Sequence, residues 1–110
     1  MMYKLGIYIP EQNLEEIKSA LFEAGAGTCG NYDRCSWQTL GETQFRPLKG
    51  SRPATGKVDK LVQVEEYRLE MICADHTLVD VIQVLKILHP YENPAWDLVR
   101  LVDESQLISN

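Results

Sequence analysis

Residues 89 to 97 read His89-Pro90-Tyr91-Glu92-Asn93-Pro94-Ala95-Trp96-Asp97, an imidazole, a phenol and a carboxylate set among prolines. His89 and Glu92 have the i, i+3 spacing that places two metal ligands together on a helix. Pro90 stands between them, and both prolines restrict φ and lack a backbone donor, so the helix stops and the chain turns here. At such a helix end His89 can donate to the last carbonyls and complement the dipole. A metal site would need more ligands, with Cys29 or Cys35 joining His89 and Glu92 across subunits. Soft thiolate with imidazole favours copper or zinc over magnesium. His76 is too isolated in sequence to complete such a set.

Other reactive types are sparser in context. Cys29 and Cys35 flank Asn31-Tyr32-Asp33-Arg34, and Cys35 shares a strand parity with Trp37, the pattern of a buried, inert thiol. No neighbouring base marks either thiol as a nucleophile. Glu65, Glu66 and Glu70 offer paired carboxylates, although a solvated strand face accounts for Glu66 and Glu70 without chemistry. Ser36 lacks the Gly-x-Ser-x-Gly setting of a hydrolase nucleophile. Gly25-Ala26-Gly27-Thr28-Cys29-Gly30 matches the letters of a dinucleotide fingerprint but follows a helix and opens a strand, the reverse of the order that aims phosphates at a helix N-terminus. No catalytic residue, metal ligand or cofactor is assigned from these patterns.

The elements that must position these residues are legible from periodicity. Tyr3, Leu5, Ile7 and Ile9 alternate with Lys4, Gly6 and Tyr8, the period of a half-buried strand. Leu14, Ile17, Leu21 and Ala24 recur at helical spacing, predicting a helix over about residues 11 to 24, with Glu11, Glu15 and Glu16 near its start and Gly25 as its stop. Residues 33 to 40 alternate as a strand. A turn is expected at Gly41-Glu42, leading to Gln44-Phe45-Arg46-Pro47-Leu48, so that the segment is a long, irregular strand or a hairpin arm ending at Pro47. Lys49 to Asp59 reads as an exposed loop, a mobile connection or else a lid or subunit-contact arm.

Leu61 to Ala74 is the strongest strand signal, with Tyr67, Leu69, Met71 and Cys73 on one face. Val62 and Val64 share the parity of Glu66 instead, so the strand carries either a β-bulge or a segment covered on both faces. Thr77 and Asp80 resemble a capping box. Leu78, Val81, Ile82, Leu85 and Leu88 then form a helical stripe, and Val79, Val84 and Ile87 widen it toward a helix with little exposed surface. Ala95 to Val102 reads as a last strand, and residues 103 to 110 as a polar tail in which Leu107 and Ile108 have no assigned role. The order β-α-β-β-α-β predicts an α+β, ferredoxin-like sandwich with two helices on one face of an antiparallel sheet.

With 110 residues the chain fits one domain, residues 1–110, with a core over about 3–102. Its hydrophobic fraction is 45% and its net charge −5. An acidic balance speaks against nucleic acid or an anionic membrane surface as the main partner. Apolar runs are too short to span a bilayer, and the first residues lack the regions of a signal peptide. Three cysteines without a Cys-x-x-Cys spacing favour reduced thiols and a cytoplasmic location over a disulfide framework.

Five motifs occur in a fixed order: Ala24-Gly25-Ala26-Gly27; Gly30 to Trp37; Gln44-Phe45-Arg46-Pro47; Val64 to Glu70; and His89 to Asp97. Over about residues 3 to 102 the chain resembles the stand-alone YqfO-type branch of the NIF-three-like family, and the domain inserted between the halves of that family's full-length members. His89 to Pro94 also resembles the CutA proteins, whose ferredoxin-like subunits form trimers, as do PII signalling proteins. The resemblance implies self-association, as a homotrimer or a dimer, with the arm at residues 32 to 48 packed between subunits. It implies ligand clefts at subunit boundaries, for which Tyr32, Trp37, His89, Tyr91 and Glu92 are the candidate lining residues. It does not bring in the dimetal chemistry of the full-length relatives, whose ligands lie in the flanking halves. Asn93, where a second carboxylate is common, and Pro53-Ala54-Thr55-Gly56, in place of a more apolar loop, depart from the family pattern. The functional expectation is a non-catalytic, homo-oligomeric binding or regulatory module of unknown small-molecule ligand. The alternative is a divalent-metal-binding or metal-tolerance protein of CutA type, and a small hydrolase is the least supported.

Overall fold

Alternation along the first strand is realised in a computed structural model that describes residues 1–107, so Ile108 lies outside the described residues. Strand β1 (Met2–Pro10) buries Leu5, Ile7 and Ile9 on one face and turns Lys4, Gly6 and Tyr8 to the other. Pro10 passes the chain directly into helix α1 (Glu11–Glu23), which buries Leu14, Ile17 and Leu21. The helix ends in a Schellman motif: Ala26 N–H donates to Leu21 O and Gly25 N–H to Phe22 O, both at 3.0 Å. Gly25 takes φ +113°, and a Cβ there would sit 2.6 Å from Thr77 Cγ2, so glycine is required by both backbone and packing.

Strand β2 (Trp37–Phe45) pairs antiparallel with β3 (Val62–Ala74) in an unbroken register from Trp37↔Glu70 to Phe45↔Val62. The expected turn at Gly41-Glu42 does not form. Gly41 is extended opposite Glu66, because pairing with the long strong strand overrides a local turn signal. The strand also begins later than expected: Arg34 takes φ +55°, which breaks the alternation, and Cys35 is half-buried outside the sheet.

The phase slip at Glu65-Glu66 is resolved without a bulge, since β1–β3 pairing is equally continuous from Met2↔Ala74 to Pro10↔Glu66. Val62, Val64 and Glu66 face away from the helices, and the loop over residues 46–61 folds back onto them. Gly56 packs against Val62 so closely that a Cβ would collide with its side chain. At this end only the face under the loop is covered, since Gln63 and Glu65 on the other face are exposed, so the change of apolar parity reflects a change of buried face and not cover on both.

β3 runs straight into α2 (Asp75–Leu88), whose N-cap is Ala74. The expected capping box is absent, because Thr77 lies inside the first turn and its Oγ1 donates to Ala74 O at 3.0 Å. Val81 and Leu85 are fully buried, whereas Val79 is 67% and Ile87 79% exposed. The apolar stripe is narrower than composition suggested, since α2 packs on α1 and the sheet by one face alone. Strand β4 (Trp96–Arg100) pairs antiparallel with β1, and a 3₁₀ turn follows at Glu104–Leu107.

The sheet order is β2-β3-β1-β4, with both helices on one face, which is the ferredoxin-like α+β arrangement. No helix among the described residues is long and apolar enough to cross a membrane.

Candidate functional site

The face of the sheet opposite the helices carries the residues of interest. At its centre Arg68 lies over Gly6, where any Cβ would collide with the guanidinium, so glycine in mid-strand marks a close approach. Arg68 donates from Nη1 and Nη2 to Asp97 at 2.9 and 3.1 Å and from Nε to Glu70 at 3.0 Å. It also stacks 5.1 Å from the Tyr8 ring centroid. These bonds, the one to Asp97 foremost, hold its pKa above the ordinary arginine value.

Beside this network is a cavity of about 330 Å³, at the lower end of the usual range for small-molecule sites. Tyr8 and Glu66 form its sheet side, Thr43 and Phe45 come from β2, and Pro47, Ser51, Pro53, Ala54 and Thr55 from the β2–β3 connection. Tyr91, Glu92, Asn93 and Ala95 complete it from the α2–β4 connection. Glu66 is only 2% exposed, and its Oε2 is buried without a hydrogen-bond partner, as is Ser51 Oγ. Burial first, and then the neighbouring Glu66 carboxylate as acceptor and charge, push the Tyr91 phenol well above its ordinary pKa. Tyr91 therefore stays a phenol, a donor beside Glu66.

The buried His89 positions this corner. Its Nε2 lies 2.7 Å from Tyr8 O, and its Nδ1 receives Tyr91 N–H at 3.2 Å. A carbonyl can only accept, so the tautomer with hydrogen on Nε2 satisfies both bonds. The expected bond to the last helical carbonyls is replaced by one to β1, because His89 has left the helix in an extended conformation. The imidazole thus pins the α2–β4 connection to β1 and holds Tyr91 against Phe45, with ring centroids 6.2 Å apart. Glu92 Oε1 accepts Arg52 N–H at 3.0 Å, which ties the two loops together.

Of the five candidate residues, Tyr91 and Glu92 line the cavity and His89 supports it from behind. Tyr32 is exposed in the tight Cys29–Tyr32 bridge, and Trp37 is exposed at the first position of β2, opposite Glu70. Trp37 is roughly 13 Å along the sheet from the level of Glu66, at ~3.3 Å per residue. Neither lines the cavity. Sequence reasoning passed over Glu66, although its parity with Val62 and Val64 was the signal that it sits on a covered face. Among the described residues no group of three His, Cys, Asp or Glu is placed to hold a metal. Cys73 is buried in the core, which pushes its thiol up to about 11.

No protein-family model matches the chain. Over 96 residues it is 41% identical to the "GTP cyclohydrolase 1 type 2 homolog" of Mycobacterium tuberculosis, covering 87% of this chain and 25% of that protein. The chain spans about a quarter of the length of the curated relatives it matches. A Bacillus cereus protein related to NIF3 superposes with a TM-score of 0.80 at 34% identity, over 93% of this chain and 26% of that one. The periplasmic divalent cation tolerance protein CutA from Archaeoglobus fulgidus superposes with a TM-score of 0.67 at 16% identity, over 97% of this chain and 92% of that one, a likeness of fold alone. By sequence and fold together, the chain is a NIF3-like domain of CutA/PII-like, ferredoxin-like architecture.

Proposed function

We propose that the chain is a non-catalytic, self-associating binding module, and that its ligand occupies the cavity between Glu66 and Tyr91. The observation that carries this reading is the cavity itself, where apolar walls converge on a few polar groups at one end of the sheet. Neither Cys nor Lys lines it, so a nucleophile of the thiolate or amine kind is lacking there. The activity in the relatives' name belongs to proteins about four times as long.

Self-association is supported by the sheet face opposite the helices and by β2, an exposed edge strand that a second copy would cover. A homotrimer is the preferred assembly on the CutA and PII likeness. It gives Trp37 and Tyr32 a role at the subunit boundary, near the cavity of a neighbour. The three cysteines are free, which suits a reducing cytoplasm.

Divalent-cation binding through His89 and Glu92 has less support. Both His89 ring nitrogens are engaged within the chain, and ligation would break one of those bonds.

Sedimentation velocity at micromolar concentration, with ligand-observed NMR against a set of small aromatic fragments, tests the proposal. It predicts an oligomer that binds fragments competitively at one site, weakened in Ala54→Trp. A monomer would end the self-association part, and binding unaffected by Ala54→Trp would remove the cavity from the account.

A further inference from the structure

The lining of the cavity specifies more than its size. Among the described residues, the side-chain polar atoms that are buried without a partner are Glu66 Oε2 and Ser51 Oγ, and both residues line this cavity. A carboxylate oxygen is an acceptor only, and leaving one unmet inside a protein is costly unless something that enters the site meets it. Two carboxylates, Glu66 and Glu92, line the cavity, and no Lys, Arg or His does. Arg68, on the same sheet face, is already engaged by Asp97 and Glu70. A phosphate or carboxylate entering here would find like charge and no cation to pair with.

On the reading that the cavity is a binding site, we propose that it takes a small organic cation, an amine or amidine borne on an aromatic or apolar body. Its N–H groups meet the Glu66 carboxylate, and its body lies against Phe45 and Tyr91, whose rings suit both apolar contact and a neighbouring positive charge. Glu92, at the exposed mouth, adds attraction of the same sign.

Isothermal titration calorimetry of the full chain with benzamidinium, benzoate and benzyl alcohol separates the possibilities. These probes share one ring and differ in charge. Benzamidinium is expected to bind at least about tenfold more tightly than benzoate, the scale of one hydrogen bond to a charged group. Glu66→Gln, isosteric and uncharged, is expected to cut that affinity by about tenfold or more while leaving benzyl alcohol within about twofold. Glu92→Gln, which keeps an oxygen to accept Arg52 N–H, lowers it about two- to threefold through the lost rim charge. Benzoate binding as tightly as benzamidinium overturns the assignment of ligand class but leaves the binding module standing. So does benzamidinium affinity unchanged in both variants. If none of the three probes binds, the cavity reading fails with it.

Discussion

Replacing Glu66 by Met should stabilise the free protein, because the folded state bears the cost of a buried carboxylate whose Oε2 has no partner. Recovering that desolvation is worth about 1–3 kcal/mol, and more if the group is charged. Met has similar length and no polar demand, and it fills irregular space well. Against this, the Tyr91 phenol loses its acceptor, a loss of about 1 kcal/mol, limited because Tyr91 is only half-buried and water can replace it. The net is a gain of about 0–2 kcal/mol, which for an unfolding entropy of about 0.23 kcal/mol per kelvin over 110 residues is a Tm rise of up to roughly 9 °C. Urea unfolding followed by Trp37 and Trp96 fluorescence, at fixed protein concentration and without ligand, measures it. The same substitution should abolish benzamidinium binding, giving the opposition of stability and function that a binding site shows. A Glu66→Met protein less stable than the parent by 1 kcal/mol or more would refute the reasoning and make Glu66 a structural anchor.

Other expectations follow from the same geometry. Ile7→Ala empties the centre of the core and should cost about 2–5 kcal/mol, whereas Ile87→Lys on the exposed face of α2 should stay within about 0.5 kcal/mol, both read by urea midpoints. Asp97→Ala leaves Arg68 with Glu70 alone; since Asp97 is about half exposed, the loss should be near ~1 kcal/mol and should shrink as salt is raised. Cys73 has a folded pKa raised by burial from 9.0 to about 11. Its contribution is thus fully present below pH 9 and is lost as pH rises through about 11, and unfolding at pH 8 and 10.5 should show a shallower alkaline decline in Cys73→Ala.

Much of the fold was legible because single rules governed its parts. β1 alternates, α1 carries a clean i, i+3, i+4 stripe, and Gly25 supplies the left-handed cap, so local chemistry and tertiary packing agree there. Elsewhere pairing decided. Gly41-Glu42 looks like a turn and is mid-strand, because β3 offers a continuous partner on that side. Thr77 looks like a cap and is inside α2, because β3 enters the helix without a loop.

The candidate site was half legible. Tyr91 and Glu92 follow from the two prolines that end α2 and fold the connection back. Glu66 looked like part of a solvated face; the returning loop over residues 46–61 buries it, and the parity it shares with Val62 and Val64 was the local sign of that cover. Tyr32 and Trp37 are candidates for a cleft at a subunit boundary, and where they lie relative to the cavity of their own subunit depends on strand register.

Native mass spectrometry of the full chain, purified without chelators, tests the central claim most directly. The expected species is an oligomer, a trimer by preference, that takes up one benzamidinium per subunit and loses that uptake in Glu66→Met while keeping its assembly state. A monomer that takes up no probe, or uptake indifferent to Glu66, would contradict it.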